Sequence, residues 1–361
     1  MDKLTSVTED GGIKRIEKKE LCFITADKLN EMELEKPLFL VEKILPVGLC
    51  ILASPPKFGK SWFSLDLCIS IASGTSFLGF KTNQAAVLYL ALEDSNNRLQ
   101  DRMRKVLNGR QAPPQFAMSI NALDLGHGLI EQLENFIESN PETKLIVIDT
   151  FAKVRSDTKR GESAYTADYR DAGMLKSFAD LHKLCLILVH HTKKMRDPSD
   201  TFANINGTQG LTGASDTMII MARETRESET TKLAITGRDV EMQDYQIQFE
   251  KSRCRWKLLG TTEEVEDQKA IAEYENSPLI YTIKKSLEQQ KDGFIATASE
   301  IISSSKKLNK PIYETTQKLG KSIEKYQDLL LRQDNIVYEP IKNGTGAKKH
   351  RFYYSPNPFL A

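Results

Sequence analysis

The 361-residue chain holds only five cysteines, Cys22, Cys50, Cys68, Cys185 and Cys254. No two of them form a Cys-x-x-Cys pair, and Cys50, Cys68 and Cys185 fall inside apolar, core-like runs. That usage suits a reducing cytoplasm and argues against a zinc site. An excess of either charge is also missing: 50 Lys/Arg face 49 Asp/Glu, for a net charge of +1. Bulk charge therefore says nothing about a nucleic-acid partner. No apolar run approaches the roughly 18 residues of a membrane span. The opening stretch MDKLTSVTEDGGIKRIEKKE is polar and lacks the apolar centre of a secretory signal. The expectation is a cytoplasmic protein that does not enter a membrane. Internal repeats and extended low-complexity tracts are absent as well.

What is present is length enough for more than one domain and a change of texture along it. Residues 1–37 are a polar N-terminal extension, with TADKLNEMELEKP as a short helix-like preface. Residues 38–260 alternate amphipathic segments with short apolar runs: LCILA, AAVLYLAL, KLIVIDT, KLCLILVHH and DTMIIMAR. Helix-like or loop segments separate the first four, which predicts an α/β fold with a mostly parallel sheet covered by helices. KLAITGRDV, YQIQFEK and CRWKLLG read as antiparallel edge strands. Residues 261–277, TTEEVEDQKAIAEYENS, read as an acidic linker with little core potential.

Residues 278–361 differ again, with 14 Lys/Arg against 8 Asp/Glu. SPLIYTIKKSLEQQ, TASEIISSSKKLN and YETTQKLGKSIEKYQDLLLRQ read as three amphipathic helices. NIVYEPIKNGTGAKKHRFYYS reads as a hairpin turning at Asn343-Gly344-Thr345-Gly346. Three helices and a basic hairpin resemble a winged-helix domain. Its third helix would enter the major groove of duplex DNA and its wing would touch the backbone. Lys318, Lys321, Lys325, Lys342, Lys348, Lys349 and Arg351 would lie on that surface. The competing reading is a winged helix that docks a protein.

The chemistry concentrates at LCILASPPKFGKSWFSLDLCISIASG. An apolar run ends at a small residue and two prolines, and Gly59-Lys60-Ser61 opens a helix-compatible segment. A phosphate-binding loop has this form: backbone N–H groups and a helix N-terminus cradle phosphate oxygens. Ser54, Pro55, Pro56, Lys57, Phe58, Gly59, Lys60, Ser61 and Trp62 make up the candidate loop and its first helical residues. Gly59 would let the backbone approach the ligand, Lys60 would reach the β- and γ-phosphates of ATP, and Ser61 would ligate Mg²⁺. The first position, usually Gly, is Ser54, which is small, and Pro55 and Pro56 stiffen the turn. The bland alternative is a strand-turn-helix corner with a chance Gly-Lys-Ser. Asp149 ends the apolar run KLIVIDT and is placed to hold Mg²⁺ through water. Glu93 and Asp94 end AAVLYLALED. Glu93 is taken as the base that polarises the attacking water, and Asp94 as the N-cap of the helix that follows, a place Ser95 also suits.

The segments SPPKFGKSW, VLYLALEDSNNRLQDRM, IVIDT, LVHHTKK, NGTQGLTGASDTMIIM and LAITGRDV occur in the order seen in RepA-like hexameric helicase ATPases. This group of the RecA/DnaB-like superfamily is common on plasmids, phages and integrated elements. The resemblance covers about residues 25–260 and departs at Ser54, where Gly is typical, and at Thr208, where Ser is common. It implies that Lys60 and Ser61 bind phosphate and Mg²⁺, that Asp149 supports the metal and that Glu93 activates water. It makes one of His190 and His191, with His190 preferred, a γ-phosphate sensor. Arg238 in AITGRDV becomes an arginine finger supplied to a neighbouring subunit of a homo-oligomer, typically a hexamer. The bland reading of Arg238 is a surface residue paired with Asp239.

Two polar segments, residues 152–171 and 193–216, follow the C-terminal ends of strands, where ligands bind in open α/β sheets. They match the positions of central-channel DNA loops in RecA-like rings. Lys153, Arg155, Lys159, Arg160, Lys194 and Arg196 are the candidate contacts to single-stranded DNA. The leading function is a DNA-dependent ATPase working as a ring helicase in the replication of a mobile element. A RecA-like ATPase that remodels or marks DNA without unwinding it is the alternative. A non-catalytic nucleotide sensor is a third, disfavoured by Glu93 together with Arg238.

Overall fold

The computed structural model describes residues 5–7, 13–15, 24–34, 37–158, 161–192, 209–223, 225, 227–290, 292–341 and 348–356. The chain divides into two units, Met1–Leu38 and Phe39–Ala361. In the first, β1 (Thr5–Val7) pairs antiparallel with β2 (Ile13–Arg15), and α1 spans Ala26–Glu31.

The second unit opens with the hairpin β3 (Phe39–Val41) and β4 (Leu45–Pro46) and then builds a nine-stranded sheet. Its strands are β5 (Gly48–Ser54), β6 (Ala86–Ala91), β7 (Phe116–Ser119), β8 (Thr143–Asp149), β9 (Cys185–His191), β10 (Thr217–Ala222), β11 (Thr230–Gly237), β12 (Gln243–Glu250) and β13 (Arg255–Thr261). The order across the sheet is β13-β12-β11-β10-β5-β9-β8-β6-β7. From β10 to β7 all pairings are parallel, and from β10 to β13 all are antiparallel. The alternating texture of residues 38–260 thus yields the mostly parallel α/β sheet, with the three later segments on one edge. The other edge strand, β7, is only half-buried and too short to announce itself by pattern.

Helices α2 (Lys60–Ser73), α3 (Asn96–Leu107), α4 (Leu129–Ser139), α5 (Ala164–His182) and α6 (Gln209–Ala214) cover the sheet. Strand alternation sorts β5 between two cores. Cys50 and Leu52 pack with Phe63 and Leu67 of α2, whereas Leu49, Ile51 and Ala53 pack with Leu133 of α4 and Leu175 of α5. Helix α2 ends at Gly74 in the left-handed conformation, whose N–H returns to the carbonyls of Ser70 and Ile71.

The C-terminal part comprises α7 (Thr262–Glu275), α8 (Pro278–Gln289), β14 (Phe294–Thr297), α9 (Ala298–Lys307), α10 (Thr316–Lys325), α11 (Gln327–Asp334), β15 (Ile336–Ile341) and β16 (Lys349–Tyr354). The three strands form an antiparallel sheet in the order β14-β16-β15. Its own core includes Ile283, Leu319, Ile323, Leu330 and Phe352.

Two expectations change here. The acidic segment 261–277 is the helix α7, and it starts without a loop. Thr261 ends β13 and caps α7, its hydroxyl accepting the Glu264 N–H while Glu264 reaches back to the Thr261 N–H. Tyr274 near its end is buried in the C-terminal core, its hydroxyl donating to Asp334 at 2.5 Å. The helix expected over residues 313–333 is interrupted at Tyr326, which packs edge-on against Tyr274 with ring centres 5.7 Å apart. The hairpin turn at Asn343-Gly344-Thr345-Gly346 and Lys342 lie outside the described residues. Among the described residues no helix is long and apolar enough to cross a membrane.

Candidate functional site

The parallel strands β5, β6, β8 and β9 end at one edge of the sheet, and the candidate loop leaves β5 there. Ser54, fully buried, closes the strand. Lys57 and Gly59 both adopt left-handed backbone angles, φ 61° and 95°. Gly59 is required for a second reason: a Cβ there would lie 2.9 Å from the Trp256 ring. Lys60 is the first residue of α2 and is 6% exposed. Its ammonium donates to Ser54 O at 2.9 Å, to Ser54 Oγ at 3.1 Å and to Pro55 O at 3.1 Å, and lies 3.1 Å from His191 Nδ1. Four neutral acceptors thus crowd three N–H bonds. Burial lowers the Lys60 pKa to about 8, against the opposing pull of Asp149 and Glu93. Burial, with the positive charge of Lys60, likewise pulls His191 below its ordinary value. The neutral ring then accepts a hydrogen bond from the Lys60 ammonium at Nδ1. A phosphate would give this ammonium an anionic partner in direct contact.

Asp149 ends β8 and is 5% exposed. It accepts a hydrogen bond from the Tyr89 hydroxyl of β6 at 2.8 Å and another from the Ser61 hydroxyl. Burial raises its pKa, opposed first by these two bonds. Ser61 and Asp149 are therefore two adjacent oxygen donors beside the phosphate loop. This is the modest protein share that Mg²⁺ takes when phosphate oxygens and water complete its octahedron. Glu93 is exposed to the cavity, and its Oε1 accepts the Thr150 hydroxyl at 3.0 Å. The N-cap of α3 is Ser95, whose hydroxyl accepts the Arg98 N–H at 3.4 Å. Asp94 is not the cap. Its carboxylate pairs with Arg98 at 3.2 Å and Arg102 at 2.5 Å.

These groups open on a cavity of about 530 Å³. Beyond Trp62, its far wall was not anticipated. Trp62, Phe249 and Trp256 form a tilted aromatic series, with successive ring centres 6.1 and 5.2 Å apart. Arg102 lies over Trp62 at 5.5 Å and Arg223 over Phe58 at 4.7 Å, and Lys251 completes the rim. Trp256 Nε1 donates to Gly59 O at 3.4 Å. The edge strands β12 and β13 thus fold their aromatic residues over the loop. One sequence signal pointed here: the chain has only two tryptophans, and both reach this cavity.

The remaining candidates divide. His191, not His190, faces the cavity, because successive residues of β9 point to opposite faces. His190 packs edge-on against Phe151, ring centres 6.1 Å apart. Arg238, 64% exposed, pairs with Asp216 at 3.4 Å rather than with Asp239. It lies at the opposite edge of the sheet. Its N–H donates to Asp216 O, and Asp216 N–H donates to Leu49 O, at the start of β5. Five residues of strand separate Leu49 from Ser54, about 16 Å, so Arg238 cannot reach the loop of its own chain. Arg155 is paired with Asp168 and lies over the Phe151 ring, so it is turned inward, unlike the exposed Lys153. Lys159, Arg160, Lys194, Arg196 and Thr208 lie outside the described residues. On the C-terminal part, Lys318, Lys321, Lys325, Lys348, Lys349 and Arg351 are all exposed. Lys325 pairs with Glu273, Lys348 with Glu324 and Arg351 with Glu339.

A strand-loop-helix built on Lys60 and Ser61, facing Asp149 at the tip of a parallel strand two places away in the sheet, defines a P-loop nucleotide-binding α/β domain. The AAA-domain family matches residues 17–197, half of the chain, and the protein belongs to that family. No curated protein matches the sequence. Among solved structures, one ATPase domain is similar at 14% identity and a TM-score of 0.48, over 59% of this chain and 84% of that one. A DnaB-like replicative helicase, solved for its interactions with primase, is similar at 14% identity and a TM-score of 0.47. That match covers 58% of this chain and 57% of the helicase.

Proposed function

We propose that the protein is a Mg²⁺-dependent ATPase that works on DNA as a ring of identical subunits, a replicative helicase of a mobile element. The observation that carries the oligomer is the place of Arg238. It is exposed and lies at the opposite end of the strands from the phosphate loop, a place from which it would serve a neighbouring copy. In this reading Lys60 leaves the Ser54 and Pro55 carbonyls for the phosphates. Ser61 and Asp149 would hold Mg²⁺, which would supply positive charge beside the phosphates. Glu93, oriented by Thr150, accepts the proton of the attacking water. His191, beside the Lys60 ammonium, would stand next to the γ-phosphate. The aromatic wall takes the base, and a neighbour's Arg238 meets the charge of the transition state. The exposed lysines of α10 and β16 suit a winged-helix face on DNA phosphates. Their carboxylate pairs are surface pairs of the kind that contribute little and exchange readily.

Turnover measured with and without single-stranded DNA, in the wild type and in Lys60→Ala, tests the core of the reading. Loss of hydrolysis in the variant, with DNA stimulation and ATP-dependent strand displacement in the wild type, is the expected result. Hydrolysis at the wild-type rate in Lys60→Ala would refute the loop assignment. Stimulated hydrolysis without strand displacement would replace the helicase with a DNA-remodelling ATPase. Native mass measured with nucleotide and DNA gives the number of subunits.

A further inference from the structure

Asp216 sits one residue ahead of β10, buried, where four segments of chain meet. Its Oδ2 accepts the Leu49 N–H at 2.8 Å and pairs with Lys176 of α5 at 2.9 Å, while Oδ1 faces the Arg238 guanidinium at 3.4 Å. The backbone is tied to two of the same partners. Asp216 N–H donates to Leu49 O at 2.8 Å, and Arg238 N–H donates to Asp216 O at 2.9 Å. Two glycines make room for it. A Cβ on Gly48 would meet Asp216 Oδ2 at 2.5 Å, and one on Gly237 would meet Asp216 O at 2.6 Å. A buried carboxylate costs free energy unless charge and hydrogen bonds satisfy it. Here the satisfying groups are the Leu49 N–H of the strand leading to the phosphate loop, the Lys176 ammonium and the Arg238 guanidinium.

We infer that Asp216 is the positioning residue of Arg238. It fixes the arginine's backbone, draws its guanidinium into one direction out of the sheet edge, and ties that seat to Leu49 of β5. An arginine already ordered loses less rotamer freedom when it engages a phosphate on a neighbouring copy. The inference rests on the reading that Arg238 serves a neighbour's nucleotide. Lys176 is not equivalent to Arg238 in this arrangement. It has a second carboxylate, Asp180, at 2.5 Å and so is held without Asp216.

Asp216→Asn in the full chain keeps an acceptor for Leu49 and removes the charge. Affinity for a fluorescent ATP analogue should stay within about threefold of wild type, while kcat falls about tenfold or more, as for a loosened arginine finger. On an Arg238→Ala background the change should add nothing. Mixing Asp216→Asn subunits with Glu93→Gln subunits should restore part of the turnover. The former keep intact pockets, and the latter supply them with a well-held arginine. Wild-type kcat in Asp216→Asn, where Arg238→Ala is inactive, overturns the inference. So does a loss that mixing fails to restore in rings shown to co-assemble, because the defect would then lie in the variant's own pocket. Full turnover in Arg238→Ala would instead remove the trans reading of the arginine, and the role of Asp216 with it. If Asp216→Asn fails to bind nucleotide, Asp216→Asn/Lys176→Gln leaves no lysine facing the new amide, and the same outcomes decide.

Discussion

Replacing Lys60 with methionine should make the nucleotide-free protein more stable while ending nucleotide binding. The folded chain holds the Lys60 proton only up to about pH 8, against 10.5 for an ordinary lysine. The difference corresponds to about 3 kcal/mol of destabilisation at neutral pH. The sign follows from proton counting. Between the two values the unfolded chain binds more protons, so wild-type stability rises as pH rises through that window. Methionine keeps the apolar stem and removes the charge. The acceptors it abandons are not orphaned, since Ser54 O keeps the Thr192 N–H and Pro55 O keeps the Ser54 hydroxyl. A net gain of about 1–3 kcal/mol, or roughly 3 °C or more in Tm, is the expected outcome at pH 7. At pH 9.5 the gap should narrow by about 2 kcal/mol, because the folded wild type has by then shed its proton. Thermal unfolding at both pH values, with and without ATP, reads all of this. ATP should raise Tm only in the wild type. A Lys60→Met protein that is less stable than wild type, by an equal margin at both pH values, would refute the account of a strained ammonium awaiting phosphate.

Glu93→Gln should leave nucleotide affinity nearly intact and cut turnover by about a hundredfold or more. If Asp94→Asn is the damaging change instead, the roles of the two acids are reversed. Thr150→Val, which removes the hydroxyl bound to Glu93 Oε1, should lower kcat about tenfold with little change in KM; an unchanged kcat would show that Glu93 orients itself. His191→Ala should reduce turnover and His190→Phe should spare it, and the opposite pattern would return the sensor to His190. Changing Lys318, Lys321 and Lys349 together to glutamine should flatten the dependence of log affinity on log salt, by about 0.9 for each duplex phosphate no longer neutralised. An identical slope would assign the C-terminal part to a protein partner.

Apolar texture made the parallel sheet readable, because each buried strand from β5 to β10 is a short continuous run that no helix period explains. The phosphate loop was readable without its first glycine. Ser54 is small, and its hydroxyl also binds Lys60, something spacing alone could not reveal. The preference for His190 could not be checked by pattern, because two adjacent candidates differ only in the face of the strand; it is His191 that lines the cavity. Arg155 looked like a surface cation until α5 brought Asp168 beside it, a contact thirteen positions away in sequence. The aromatic wall escaped for a related reason. Phe249 and Trp256 belong to a hairpin almost 200 residues beyond Gly59, and only the antiparallel extension of the sheet brings them back. The linker was misjudged on composition. The acidic face of α7 is its solvent side, and two of its residues, Val265 and Tyr274, are buried.

That helix has a mechanical consequence. Because α7 begins on the last residue of β13, no slack separates the strand that covers the phosphate loop from the C-terminal core. Fourteen helical residues make a strut of about 21 Å, anchored at one end by the Thr261 cap and at the other by Tyr274. Any tilt that a bound base imposes on Trp256 and its strand would be delivered at the far end of the strut as a larger sweep of the basic face. The C-terminal part is joined to the sheet by a capped helix, not trailed on a tether.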